Sequence, residues 1–189
     1  VYAWLERGRT LRSSGRPAEA EPFFRRAFDL ADQARLETAA ADALHMVALV
    51  QTRLEDQLHW NRRTAAYARN ATDPKARRWE AVALNNSGAS LNEAGRHAEA
   101  LEVLQQAQSA FERLGRPHNV FVARWMVAHT LRRLARLDEA LAVQRDLEAQ
   151  MSAAGKPDPY VFDELAEIHA ARGDPDRAAY YRALAARSR

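Results

Sequence analysis

Cysteine is absent from the 189 residues, and lysine occurs only at Lys75 and Lys156. The lack of cysteine excludes a disulfide framework, a thiolate metal site and a cysteine nucleophile, and it fits a reducing cytoplasm. Arginine therefore carries nearly all of the positive charge, in a chain whose net charge is only +3. Acidic residues are interspersed throughout, so no basic stripe indicates nucleic-acid binding. We expect a cytoplasmic protein that makes no direct contact with nucleic acid.

Long apolar runs are also missing, and glycine and proline are scarce at seven each. A helix that spans a bilayer needs about 18 apolar residues, and even Phe121–Ala128 is interrupted by Arg124. The segment Val1–Arg12 lacks the apolar core of a signal peptide. The chain is rich in Ala, Leu, Arg and Glu and poor in Val, Ile and Thr, which favours helices over strands.

Three columns of residues recur along the chain at intervals of 40, 40, 40 and 38 residues. The first column contains small residues: Gly8, Ala48, Gly88, Ala128 and Ala166. The second is Gly15, Glu55, Gly95, Ala135 and Gly173, and the third is Ala20, Trp60, Ala100, Ala140 and Ala178. Apolar residues at helical spacing flank the second column, which predicts a helix, a tight turn and a second helix in each unit. We therefore predict one all-α domain over residues 1–189, with units at approximately 1–40, 41–80, 81–120, 121–158 and 159–189.

The second unit departs from this pattern. Glu55 stands in the turn column, and Trp60 stands in the small third column. Sliding the second helix of this unit by three residues would place Gln57 in the third column and shorten the hairpin, and the sequence alone leaves both registers open. At Gly15, Gly95 and Gly173, glycine allows the left-handed conformation that ends a helix, and a small residue lets the two helices of a hairpin cross closely.

The first unit carries a recognisable set of columns, namely Trp4, Gly8, Leu11, Gly15, Ala20, Phe24 and Ala27. This set resembles the consensus of the tetratricopeptide repeat, and the third and fourth units keep most of it. The segments Val122–Ala128 and Leu137–Leu141 are similar to bacterial repeat proteins without an assigned activity. The resemblance implies a right-handed α-solenoid of about five stacked hairpins. It also implies a non-enzymatic scaffold that binds proteins or peptides on the concave side, which the first helix of each hairpin lines.

Residues outside the packing columns on these first helices are the candidate binding residues. Asparagine can hydrogen-bond a peptide backbone, and arginine suits a carboxylate, so we predict a groove for an acidic or extended peptide. Asn86 is the strongest candidate, because related repeats often use an asparagine there. The lysines that clamp a carboxylate in chaperone-binding relatives are missing. The predicted groove residues are Arg9, Arg12, His45, Asn85, Asn86, Asn92, Trp125, His129, Arg132 and Arg133.

The sequence offers little support for catalysis, a cofactor or a metal ion. The six histidines are scattered over different units, and none forms an HExxH motif. The cluster of Asp163, Glu164, Glu167 and His169 lacks a nucleophile or an oxyanion hole nearby, so a solvated acidic face is the better interpretation. The alternatives to a scaffold are the sensor or effector domain of a bacterial transcription regulator, or a small-molecule or catalytic site at Asn85, Asn86 and His129.

Two further expectations concern surfaces. No helix follows Asp176–Arg189 to cover Tyr180, Tyr181 and Leu184 on its apolar face. Three explanations are open: a homodimer contact, a chain cut from a larger protein, or a helix that is sufficiently amphipathic with Arg182 and Arg187 pointing outward. For the groove, we expect Asn86→Ala combined with Arg132→Glu to abolish partner capture without changing the melting behaviour, because both positions are taken to be on the surface.

Overall fold

The computed structural model describes all 189 residues and consists of ten α-helices without strands. Consecutive helices pair into five hairpins, as the helical periodicity predicts. The hairpins stack into an all-α solenoid, so the predicted fold class is confirmed. The helices are α1 (Tyr2–Ser13), α2 (Pro17–Gln33), α3 (Glu37–Leu49), α4 (Leu54–Asn70), α5 (Pro74–Glu93), α6 (His97–Arg113), α7 (Pro117–Arg133), α8 (Leu137–Ala153), α9 (Pro159–Ala171) and α10 (Pro175–Arg187).

Four of the five hairpins turn at a residue in the left-handed conformation. Gly15, Gly95 and Gly173 have φ values of +77°, +76° and +75°, and Ala135 takes the same conformation at +57°. After α1, the Gly15 N–H donates to the carbonyl of Arg12, and the next N–H donates to that of Leu11. These bonds satisfy carbonyls at the end of the helix, so the chain reverses within three residues.

The small column marks the closest approach of the two helices in a hairpin. A Cβ atom on Gly8 would lie 2.5 Å from a ring carbon of Phe24, and one on Gly88 would overlap Leu104. Both partners are fully buried on the second helix of their hairpins. The predicted reason for the small residues is therefore confirmed: a larger side chain would force the helices apart.

The second hairpin differs as the sequence suggested. Helix α3 ends at Leu49, one residue after Ala48, and α4 begins at Leu54 without a left-handed residue in the turn. Gln57 is the fourth residue of α4, as Ala20 is of α2. The same offset places the buried Asn61 where α2 has Phe24 and α6 has Leu104.

Three of the predicted unit boundaries fall inside helices. Residues 40/41, 80/81 and 120/121 lie within α3, α5 and α7, whereas 158/159 coincides with the start of α9. The columns were counted from small residues in the middle of the first helices. The actual breaks occur at prolines and at left-handed residues, one of which is Arg35 with a φ of +55°. An arginine in this conformation carries no signal in the sequence.

The hairpins pack against their neighbours in series. One apolar cluster joins the first two hairpins around Leu5, Phe24 and Leu44, and a larger one joins the last hairpins around Leu104, Leu147 and Leu165. Beyond chain neighbours, the strongest helix contacts join the first helices of successive hairpins: α3 with α5, α5 with α7, and α7 with α9. The odd-numbered helices thus form one layer, and the even-numbered helices form the other.

The last helix is only partly uncovered. Tyr181 packs against Phe162 and stacks on His169 at 5.5 Å, and its hydroxyl donates to Glu148 across 3.2 Å. Tyr180 remains 58% exposed. The apolar face is therefore smaller than the sequence indicated, and dimerisation through it stays a prediction.

Candidate functional site

The predicted groove residues lie on the layer of odd-numbered helices, on the surface that faces away from the even-numbered ones. We call this surface the inner face. Its residues stand six, three or two positions before a small residue, or one, four or five positions after it, whereas Leu5 and Met46 at such positions are buried in the core. Side chains at these positions repeatedly bond from one odd-numbered helix to the next.

The inner face begins with an ion pair between α1 and α3. Arg9 donates to Asp42 across 2.5 Å, and it also pairs with Glu6 within its own helix. The Arg9 guanidinium is thus neutralised by two carboxylates. Arg12, one turn further along α1, is exposed and has neither an ion pair nor a hydrogen bond from its side chain. Of the two predicted arginines on α1, Arg12 is the one available to a ligand.

The centre of the inner face joins α3 to α5. The Nδ1 atom of His45 lies 3.5 Å from the Asn86 amide nitrogen, and the His45 ring lies 4.7 Å from that of Trp79. Burial lowers the pKa of His45 to about 4, so this imidazole is neutral at pH 7. The carbonyl oxygen of Asn85 is buried without a hydrogen-bond partner. Asn86 and His45 thus meet, whereas Asn85 points toward packed surroundings.

A second polar link joins α5 to α7. The amide of Asn92 donates to the hydroxyl of Thr130 across 2.7 Å, and its carbonyl oxygen lies 3.0 Å from Nδ1 of His97. Arg133 reaches Nε2 of His97 at 3.4 Å and is otherwise exposed without a carboxylate partner. Asn92 is therefore committed to its neighbours, while most of the donors of Arg133 remain available.

A third polar cluster joins α7 to α9. Glu164 is 4% exposed, and it accepts from Nε of Arg132 at 2.6 Å and lies 3.0 Å from Nδ1 of His129. Trp125 stacks on His129 at 5.4 Å and donates its indole N–H to the carbonyl of Tyr160. Burial raises the pKa of Glu164, but the bonds from His129 and Arg132 outweigh burial, so the pKa lies below its usual value. Glu164 is therefore an anion enclosed by its two partners.

These contacts correct two expectations. Glu164 and His169 are 4% and 3% exposed, so they do not belong to a solvated acidic face. Arg132, whose side chain is 17% exposed, is not the free surface donor that the sequence suggested. Replacing it with glutamate would bring two carboxylates together in a buried site. Substitution at Arg132 therefore cannot separate binding from stability.

Some exposed apolar residues of the inner face were not among the predicted groove residues. Four of the seven exposed large apolar side chains in the molecule lie there: Tyr2, Leu49, Val122 and Tyr160. Three of them stand six residues before the small column, the register that Asp42 occupies in the second hairpin. This fixed offset is a signal that could have identified them.

Comparison with known families agrees with this architecture. Two profiles described as "Tetratricopeptide repeat" match the sequence, one over residues 79–153 and the other over residues 1–33. The chain is a tetratricopeptide repeat protein. Its family and its fold make it a scaffold for protein interactions in the general sense. A search of curated proteins gave no match.

Solved structures resemble this tetratricopeptide repeat protein over nearly its whole length. A putative kinesin light chain with TPR-like repeats from Podosopora anserina is 14% identical, with a TM-score of 0.79 over 99% of this chain and 93% of that one. BtubC from P. vanneervenii is 17% identical, with a TM-score of 0.80 over 96% and 76%. Aspartyl phosphate phosphatase F from Bacillus subtilis is 14% identical, with a TM-score of 0.70 over 98% and 58%. Identities this low support the shared fold alone.

Two other structural features are absent from the repeat protein. No group of three or more His, Asp and Glu side chains lies close enough together to hold a metal ion. None of the ten helices combines the length and the apolar character that crossing a membrane requires.

Proposed function

We propose that the inner face binds an extended, acidic peptide segment of a partner protein. The observation that carries this proposal is the series of side-chain bonds between successive odd-numbered helices. These bonds hold polar groups in fixed positions beside exposed apolar side chains. A surface that is ordered before binding loses little conformational entropy when a ligand arrives, so such a surface is suited to recognition.

Different parts of the inner face would contribute different contacts. The exposed Tyr2, Leu49 and Val122 supply apolar area for side chains of the peptide. The Asn86 amide lies at the middle of the surface, where it can bond a peptide backbone. Only one of its neighbours on the inner face, His45, approaches it at a bonding distance, and the 3.5 Å separation is long for a hydrogen bond.

The preference for an acidic segment rests on two arginines. Arg12 and Arg133 are exposed, and neither pairs with a carboxylate of the chain. Arg9 and Arg132 already pair with Asp42 and Glu164, so they would shape the surface without binding the ligand. Carboxylates of the peptide would pair with the free guanidinium groups of Arg12 and Arg133 through charge-assisted hydrogen bonds.

The proposal is tested with the double variant Arg12→Glu, Arg133→Glu and a library of displayed peptides. We expect the wild-type chain to enrich acidic peptides and the double variant to lose them, with the loss growing smaller at high salt. The matched control is Arg26→Glu, Arg187→Glu, which makes the same charge change at exposed, unpaired arginines of α2 and α10. Equal enrichment by the double variant and the wild type would refute binding at the inner face.

A further inference from the structure

A cavity lies between the even-numbered helices α4 and α6, away from the inner face. Helices α4 and α6 form its walls, and α5 forms its floor. The volume between these three helices is about 380 Å³. We call it the outer groove. Its floor is apolar through Leu84 and Leu91, and its walls carry Ala65 and Val103. A volume of this size falls at the lower end of the range for small-molecule sites.

The equivalent space between α2 and α4 is filled by the chain itself. There, Phe28 meets Tyr67 edge to face with ring centroids 5.8 Å apart, and the guanidinium of Arg25 lies 4.4 Å over the ring of Trp60. Arg63 of α4 lies 5.0 Å over the Phe28 ring. Aromatic rings covered by arginine thus occupy this part of the first interface between even-numbered helices, and an open pocket remains only toward the C-terminal ends of α2 and α4.

Counting from the first residue of each helix shows why the next interface is open. Each aromatic or long side chain of the first interface has a smaller or uncharged counterpart between α4 and α6. The counterparts are Ala65 for Phe28, Val103 for Trp60, Gln106 for Arg63 and Ala110 for Tyr67. The packing between α4 and α6 therefore lacks the rings that the same geometry holds between α2 and α4.

One arginine of the first interface is retained in the outer groove. Arg62 stands at the position of Arg25, but it has no ring beneath it and no carboxylate partner. Its only hydrogen bond runs from Nε to the carbonyl of Leu58, at 3.2 Å. Arg62 thus occupies the position from which Arg25 covers Trp60, but in the outer groove no aromatic ring lies beneath the guanidinium.

A buried amide supplies the second sign of a missing ligand. Asn61 lines the outer groove and is 3% exposed, and its Oδ1 has no hydrogen-bond partner. Leaving a buried polar atom unpaired is costly, so a donor from a ligand would relieve this cost. Neighbouring repeats place Phe24 and Leu104 at this position, where no such need arises.

We propose that the outer groove binds a tryptophan or tyrosine side chain of a partner protein. The ring would lie between Ala65 and Val103, and the Arg62 guanidinium would cover its face as Arg25 covers Trp60. The indole N–H or phenol O–H would donate to Oδ1 of Asn61. This binding site is independent of the inner face, so the repeat array would contact partners on both sides.

The test uses N-acetyltryptophanamide as the probe, with the phenylalanine and leucine amides for comparison. Binding is followed by NMR through the side-chain resonances of Asn61 and Arg62. We expect saturable shifts for the tryptophan amide, with a dissociation constant on the order of millimolar for so small a ligand. Weaker shifts are expected for the phenylalanine amide, which lacks the donor, and none for the leucine amide.

Variants that fill the groove from within provide the decisive comparison. Ala65→Phe restores the ring of the first interface and should abolish the shifts. Gln108→Phe places the same ring at the equivalent position of α6, outside the groove, and should preserve them. Because Ala65→Phe could overpack the wall, its helicity and melting are measured beside those of the wild type. Arg62→Ala, which removes an exposed group, should weaken binding severalfold without affecting the fold.

Three results would overturn the proposal. The first is the absence of saturable shifts in the wild-type chain up to the solubility limit of the tryptophan amide. The second is their persistence in a folded Ala65→Phe variant, which would locate the probe elsewhere. The third is equal binding of the leucine amide, which would show that the groove does not select an aromatic ring.

Discussion

Close packing at the residue scale explains why two helical positions admit only glycine. The nearest ring atoms of Phe24 would lie 2.5 to 2.8 Å from a Cβ atom on Gly8, and Phe24 is fully buried. Glycine in the middle of a helix costs about 0.5–1 kcal/mol relative to alanine. This cost is smaller than the strain of forcing two helices apart, so the packing decides which residue is favourable.

We predict that Gly8→Ala lowers the free energy of unfolding by about 1–3 kcal/mol despite the better helix propensity of alanine. Urea denaturation followed by circular dichroism measures the change. Equal stability of Gly8→Ala and the wild type would contradict this prediction, because it would mean that α1 and α2 can move apart without a loss of free energy.

Glu164 provides a second prediction at this scale. Glu164→Gln removes a charge that is buried against Arg132 and His129, and it leaves Arg132 without its counter-ion. We expect a loss of about 3 kcal/mol, as is typical when one partner of a buried pair is removed. The matched control is Glu139→Gln, which removes an exposed ion pair with Arg136 and should change the stability little. Similar denaturation midpoints for both variants would contradict a structural role for Glu164.

At the scale of the helix, one core position varies in an informative way. The eighth residue of the second helix is Phe24, Asn61, Leu104 and Gln144 in the first four hairpins, and all four are buried. Gln144 is fully buried, and neither its amide nitrogen nor its carbonyl oxygen has a hydrogen-bond partner. An apolar residue of similar size would avoid this cost.

We therefore predict that Gln144→Leu stabilises the protein by about 1–3 kcal/mol, since the substitution removes two unpaired polar atoms from the core. Thermal unfolding should show a higher midpoint for this variant. The control, Gln108→Leu, removes a partly exposed amide from α6 and should shift the midpoint much less. A lower midpoint for Gln144→Leu would mean that the amide makes bonds that stabilise the fold.

At the scale of the whole molecule, stacked hairpins share one continuous core, so local changes spread only to neighbouring units. The inner-face bonds add polar links between these units, from Arg9 on α1 to Glu164 on α9. Several of the linking groups titrate. The stability of the complete array therefore depends on pH through particular residues.

His45 should dominate this dependence in mild acid. Its pKa is about 4 in the folded chain and 6.5 in the unfolded one, so the unfolded state binds the additional proton between these values. The stabilisation is complete above pH 6.5 and declines as the pH falls toward 4, by up to about 3 kcal/mol at about 1.4 kcal/mol per pH unit. The lowered pKa of Glu164 acts in the same direction only at lower pH, as its carboxylate becomes protonated.

Urea denaturation at several pH values between 7 and 4 measures this effect. His45→Phe keeps a ring beside Trp79 and removes the titrating group, so its stability should depend less on pH in this range. His118→Phe serves as the control, because His118 lies on the exposed first turn of α7. Parallel pH profiles for His45→Phe and the wild type would assign the dependence to other groups.

The periodic columns by themselves determined the five hairpins and the turns at Gly15 and Gly95, whereas the register around Gln57 was one of two that the sequence left open. These features depend on helical period and on the size of single residues, which a sequence displays directly. The sequence also indicated the face on which the candidate groove residues lie. It could not show that Arg9 and Arg132 are paired while Arg12 and Arg133 are free.

Only the tertiary structure decided those pairings, because the partners Asp42 and Glu164 are more than thirty residues away from the arginines they neutralise. The breaks between hairpins were likewise decided by backbone conformations such as that of Arg35, which its side chain does not signal. The outer groove arises from the sizes of residues on three helices together. Distances between separate helices follow from packing, whereas the helices themselves follow from local sequence, and this difference separates what could be predicted from what had to be observed.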